Sequence, residues 1–137
     1  MSLQCMPAID CLKNMIYKCL SIVKPNGNNI TRGIKTIEVR RWKLPSFPLK
    51  NLIIIENDNY LSKQYPEEIG MIVAMADVID VRPWEEKDLT ASCAKVYENG
   101  YLAWILSNIR KISYPAPVPA KRKIYELELD ETKIIFQ

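Results

Sequence analysis

The sequence contains no histidine, and that gap removes several chemistries together. Histidine-ligated metal sites, Ser-His-Asp triads and Cys-His nucleophilic pairs all need an imidazole. Cysteine is scarce as well: four residues, at positions 5, 11, 19 and 93, form no C-x-x-C pair. Their spacings fit neither a zinc site nor a redox motif, so no metal and no cofactor are expected. The start does not read as a secretory signal, so the thiols are read as reduced and the protein as intracellular and cytoplasmic. Cys19 and Cys93 are read as core residues. No apolar run approaches the roughly 20 residues that a bilayer-spanning helix needs. Stretches such as Leu52 to Ile55 are strand-sized, and no membrane association is expected.

What is present fits one compact domain: 137 residues, 48% hydrophobic and 26% charged, enough for a single core. Ile9, Leu12 and Met15 behind Pro7 follow helical spacing, so residues 1–16 are read as an N-terminal helical extension and 17–137 as the domain proper. Tyr17 to Val23 reads as a strand closed by Lys24-Pro25-Asn26-Gly27. A short polar helix is expected over 28–33, capped by Gly33. Lys35 to Arg40 alternates, with Lys35, Ile37 and Val39 on one face and Thr36, Glu38 and Arg40 on the other, as in a strand with one charged face. Leu52 to Asn57 reads as a buried strand, 58–68 as a loop or short helix, and Gly70 to Arg82 as a long strand stopped by Pro83. A helix is expected over 89–98, then a strand over 101–112 after the Asn99-Gly100 turn and a last strand from Lys121. Pro115, Pro117 and Pro119 read as a stiff extended connector. Five or six strands with short helices predict an α+β fold around a curled sheet or small mixed β-barrel.

A formal charge of +3 is too small to mark the whole surface as a nucleic-acid binder, but the charge is segregated. Residues 30–50 sum to +5 through Arg32, Lys35, Arg40, Arg41, Lys43 and Lys50 against Glu38, and residues 110–123 to +5 through Arg110, Lys111, Lys121, Arg122 and Lys123. Between them, residues 56–88 sum to −6. If folding joins the two basic blocks, a groove with Trp42 and Tyr114 beside it would combine phosphate neutralisation with base stacking. The plain alternative is that these cations are solvated strand ends. Trp84 and Trp104 read as core aromatics and Trp42 as the exposed one.

Within the first block Glu38 and Arg40 share a face, so an ion pair is easy, and Lys35 can curl toward it, with Thr36 and Ser107 as possible hydroxyl donors. Without histidine, a hydrolase here would use a lysine or a carboxylate as base while Arg40 stabilises developing negative charge. The same three residues can equally form a structural salt bridge.

The strings Cys19-Leu20-Ser21-Ile22 and Gly33-Ile34-Lys35-Thr36-Ile37-Glu38-Val39-Arg40-Arg41-Trp42 resemble the opening of the ASCH domain (activating signal cointegrator homology), with its pattern G-x-K-x-x-E-x-R. Gly70 to Ala74 resembles that family's central strand, and Trp104 to Arg110 with the following prolines resembles its late segment, so the likeness spans about 17–129. The resemblance implies a PUA-like barrel and an RNA or nucleoside ligand. It makes Lys35, Glu38 and Arg40 the cleft residues, catalytic if the protein is an enzyme. Arg32, Arg41, Trp42, Lys43, Arg110, Lys121, Arg122 and Lys123 are the further nucleic-acid-binding candidates. Some members of the family resemble ribonucleases, and a related group deacetylates modified cytidine with a lysine and a threonine three positions later. Glu38 stands where that threonine would be, which weakens the amidohydrolase reading. Arg122 stands where members often carry a glycine between lysines.

Three functions follow as expectations: an RNA-binding module, a metal-independent hydrolase acting on RNA or a modified nucleoside, and a protein-interaction module with no motif behind it. A close Lys35–Glu38 approach in an open pocket would favour the hydrolase, and a buried, saturated Glu38–Arg40 pair would favour a structural role.

Overall fold

The computed structural model describes residues 14–137. Seven strands dominate: β1 (Asn14–Val23), β2 (Ile37–Arg40), β3 (Leu49–Asn57), β4 (Glu67–Pro83), β5 (Leu102–Lys111), β6 (Pro117–Lys121) and β7 (Ile124–Asp130). Two short helices, α1 (Asn26–Thr31) and α2 (Leu89–Ser92), and two 3-10 turns complete a mixed α+β fold. The strand order is β2-β5-β4-β3-β1-β7, with β6 beside the first half of β4. Only β1 and β3 run parallel.

The isoleucine run explains the centre of the sheet. Leu52 and Ile54 enter one core with Leu20, Ala76, Val78 and Trp104, capped by Ile30 of α1. Ile53 and Ile55 enter a second core on the opposite face with Cys19, Ile72, Met75 and Val118. A strand buried on both faces needs apolar residues at every position, which a run of isoleucine supplies. Gly70 allows β4 to lie close to β3, because a Cβ there would sit 2.7 Å from Ile55 Cγ2 and 2.9 Å from the Glu56 carbonyl.

Several expectations are corrected. β1 begins at Asn14, so residues 14–16 are strand rather than helix; the rest of the expected N-terminal helical extension lies outside the described residues. Glu67 and Glu68 belong to β4. The proline connector contains strand β6. Pro117 and Pro119 have the parity of Lys121, whose N–H points away from β4 to Ser21 Oγ. The missing proline donors therefore fall on the outer side of the ladder, where β4 asks for none. The helix expected over 89–98 ends at Ser92, because Cys93 turns left-handed (φ 58°) and the Ala94 N–H closes back on the Leu89 carbonyl. Cys19 is fully buried and Cys93 only partly, and both are free thiols.

The sheet is not closed. Its path runs from β2 to β7, and instead of a ladder a side chain spans the seam: Arg40 on β2 donates from Nη2 to the Ser21 carbonyl on β1 (3.1 Å). Among the described residues no helix is long and apolar enough to cross a membrane.

Candidate functional site

The seam holds a cleft of about 790 Å³. Its floor is a charged cluster of Lys35, Glu38 and Arg40, of which the strand alternation pointed to the Glu38–Arg40 pair. Glu38 is almost completely buried, and each of its oxygens meets a different cation. Lys35 Nζ lies 3.3 Å from Oε1, while Arg40 donates from Nε to Oε2 at 2.7 Å, with Nη2 2.6 Å from the same oxygen. Lys35, equally buried, also donates to the Ser92 carbonyl at 2.6 Å. That carbonyl is the last of α2, left without an intrahelical partner by the turn at Cys93. The ammonium thus makes one hydrogen bond, to Ser92, and one ion pair, with Glu38. The cluster carries two positive charges against one negative, a surplus cation at the bottom of a low-dielectric recess.

α2 is fixed for this task by its own carboxylate. Asp88 takes a two-pronged bond from Arg82 (2.7 and 2.9 Å) and accepts from the Glu85 N–H. The Arg82 bonds hold its carboxyl down at about 2, against the penalty of burial. Ser92 in turn accepts from Trp84 Nε1 (3.2 Å) and donates to the Asp88 carbonyl (2.7 Å). Trp84 is buried against Tyr97 and Tyr101.

The rim is basic and aromatic. Arg41 lies over the Tyr101 ring at 4.9 Å on one side, and Lys121, Arg122 and Lys123 close the other. These three form the β6–β7 turn, in which Lys123 takes a left-handed conformation (φ 58°). Ser21 ties this turn to the floor: its carbonyl accepts from Arg40 and its hydroxyl from the Lys121 N–H (3.1 Å). The Ser21 hydroxyl meets Tyr125 Oη at 2.7 Å, and Tyr125 donates onward to the Pro119 carbonyl (3.0 Å). Burial pushes the Tyr125 phenol up to about 12, so it stays a donor.

A third wall comes from the loop between β3 and β4, with Tyr60, Leu61, Ser62 and Lys63 in the cleft lining. Glu68 organises that loop. It accepts from Asn57 Nδ2, from the Asp58 and Asn59 N–H groups, from Asn59 Nδ2 and from Tyr65. The bonds from Asn59 and Asn57 hold its carboxyl at about 2. Tyr60 is left 85% exposed at the rim.

Of the residues singled out in the sequence, the cleft brings together Lys35, Glu38, Arg40, Arg41, Trp42, Lys121, Arg122 and Lys123. Trp42 is half-buried, its ring edge-on to Trp104 at 4.9 Å, rather than a free platform. Arg32, Lys43 and Tyr114 do not line the cleft, nor do Thr36 and Ser107. Arg110 is engaged elsewhere, 2.7 Å from Asp77. Sequence reasoning missed Ser21, Asn57, Tyr60 and Tyr101. The Asn57-Asp58-Asn59 turn cluster was the only signal that a structured loop stood there.

The fold and the site define a small α+β domain with a Lys-Glu-Arg cluster under a basic, aromatic-rimmed cleft. The model of the ASCH domain family matches residues 20–116, more than half of the sequence, and the chain belongs to that family. No curated protein gives a match.

Proposed function

We propose that the protein binds single-stranded RNA, or a nucleoside as the smallest ligand, in the cleft at the unclosed seam. The reading includes a PUA-like curl of the sheet, with Arg40 bridging where a barrel would pair, and a cytoplasmic location. The observation that carries it is the surplus positive charge of the buried Lys35–Glu38–Arg40 cluster, continued outward by Arg41 and Lys121 to Lys123. Phosphate contacts supply affinity there, and Tyr60 and Tyr101 offer faces on which unpaired bases stack. Membership of the ASCH family is consistent with RNA binding.

One observation favours a second reading, hydrolysis of RNA or of a modified nucleoside: Lys35 and Glu38 approach to 3.3 Å in an open cleft. Against it, both Glu38 oxygens already face cations, Oε1 the Lys35 ammonium and Oε2 the Arg40 guanidinium, as in a structural ion cluster. Lys35 Nζ is itself tied down, between the Ser92 carbonyl and Glu38 Oε1. The arrangement is that of a fixed electrostatic anchor.

Fluorescence anisotropy of an end-labelled 10-mer RNA at two salt concentrations, followed by a denaturing gel, tests both. Binding that weakens with salt and leaves the RNA intact is the expected result. Fragments that disappear in Lys35→Ala would establish the hydrolase, and no binding at low salt would contradict both.

A further inference from the structure

Asn57, at the end of β3, is 3% exposed and lines the cleft. Its amide orientation is dictated by its neighbours. The Glu68 carboxylate only accepts, and so does the Asn59 carbonyl, so the Asn57 end that faces both (2.8 and 2.6 Å) must be the NH2 group. Glu68 is itself fixed by the Asp58 and Asn59 N–H groups, so the amide cannot flip without breaking the loop. Oδ1 is the remaining end, and it makes no hydrogen bond among the described residues. Among them, Trp104 Nε1 is the one side-chain polar atom that is both sealed from solvent and unpartnered. Asn57 Oδ1, equally unpartnered, therefore keeps an opening, and Asn57 belongs to the cleft lining.

A buried amide oxygen held in one orientation is an acceptor that waits for a donor. Nearby, Lys35, Arg40, Arg41, Lys121, Arg122 and Lys123 supply donors for anionic oxygens; Asn57 has the opposite polarity. On a nucleobase, the group that projects furthest from the ring is the exocyclic substituent, an amino donor in cytosine and a keto acceptor in uracil.

We propose that Asn57 Oδ1 reads the exocyclic amino group of a base seated in this cleft, so that the site prefers amino-bearing bases, cytosine over uracil. The assignment rests on the RNA-binding reading above. Glu68 is the positioning residue: it touches no base and acts by holding the Asn57 amide in register.

The contrast is measured on the unaltered protein, with labelled C10, U10 and an N4,N4-dimethylcytidine 10-mer of RNA at pH 7.5. C10 should bind at least about tenfold tighter than U10, because a keto oxygen facing Oδ1 leaves two acceptors unpaired. The dimethylated oligomer, which keeps the cytosine ring but has no amino donor, should bind like U10. Asn57→Ala should bring the C10 to U10 ratio close to one. Glu68→Gln, which can donate as well as accept and so releases the amide orientation, should lower the ratio even where total affinity changes little. Equal affinity of the unaltered protein for C10 and U10 would overturn the Asn57 assignment and leave RNA binding standing. A preference for RNA over DNA without a base preference would overturn it too, since the acceptor would then be meeting a 2′-hydroxyl. A ratio unchanged in a folded Asn57→Ala protein would also overturn it. Failure to bind any oligomer would remove both the assignment and the reading beneath it.

Discussion

Two ion clusters of nearly equal geometry sit in different parts of the sheet, and they have opposite characters. At the seam, Glu38 is shared by Lys35 and Arg40, with a shortest contact of 2.6 Å. In the bulged middle of the sheet, Asp77 is met by Arg110 at 2.7 Å and also accepts from the Asn51 N–H and from Asn108 Nδ2. Arg110 completes that second group by donating to Asn51 Oδ1 and to the Asn108 carbonyl. Both asparagines take positive φ (61° and 50°), and the neighbouring ladders slip register at Asp77 and between Leu49 and Leu52. Here the carboxylate is balanced by a single cation and its spare valences are taken by groups that the bulges free. The Asp77 cluster is neutral, closed and outside the cleft lining, whereas the Glu38 cluster carries a spare positive charge and opens on a cleft. Distance and burial do not separate a structural staple from a ligand site. Net charge and access do.

The largest expected effect breaks the symmetry of the two carboxylates. Glu38→Gln leaves the buried Lys35 ammonium and the partly buried Arg40 guanidinium facing each other across a neutral amide, and should cost about 3–5 kcal/mol in urea unfolding. Asp77→Asn leaves a single cation, Arg110, which keeps the Asn108 carbonyl and Asn51 Oδ1 as acceptors, and should cost only about 1–2 kcal/mol. Equal losses would contradict the comparison.

The next effect separates the two arginines by function. Arg40→Ala should weaken single-stranded RNA binding by about tenfold or more, and Arg110→Ala should leave it unchanged, although both remove an ion pair. Anisotropy titrations of the two variants, read beside their melting temperatures, check this.

Acid sharpens the contrast from the other side. Burial pushes the Asp77 carboxyl up, but the bonds from Asn51, Asn108 and Arg110 outweigh it and lower it overall. Asp88 and Glu68 are held at about 2, from ordinary values of 3.8 and 4.5. A carboxyl depressed in the folded state contributes stability that is complete above its ordinary value and disappears as pH falls through the folded one. Unfolding on acidification should therefore set in between about pH 4 and pH 2. Asp88→Asn should flatten that part of a stability-against-pH curve, as measured by urea midpoints.

The smallest effect is expected at the rim. Tyr125→Phe removes the bond to the Pro119 carbonyl and leaves the Ser21 hydroxyl with a partner less. RNA affinity should fall by about two- to threefold through a looser β6–β7 turn, at a stability cost of about 1 kcal/mol.

The sequence was most informative where one physical rule acted alone. The Leu52–Ile55 run reads as a buried strand, and it is buried on both faces, while the Glu38–Arg40 pair follows from strand alternation. The third member of the cluster follows less directly. Lys35 lies just before β2, and its direction is set by the Ser92 carbonyl 57 positions further along the chain, a partner no local pattern contains. The β6 strand was hidden by prolines, whose missing donors signal a connector unless the parity of the ladder is known. Asn57, Ser21 and Tyr60 escaped for a related reason: their place in the cleft depends on Glu68 and Tyr125, which are brought in by other strands. Strand count and the unclosed seam belong to the same class, since which strands pair is decided by contacts distant in sequence.

The central claim is that the charged seam, and not the charged bulge, receives RNA. The most direct measurement is a titration of 15N-labelled protein with a 10-mer RNA, followed by amide chemical-shift changes. The account predicts the largest changes at Ser21, Arg40, Asn57, Tyr60 and Lys121 to Lys123, with Asn51, Asp77 and Arg110 undisturbed. Changes centred on Asn51, Asp77 and Arg110 would contradict it.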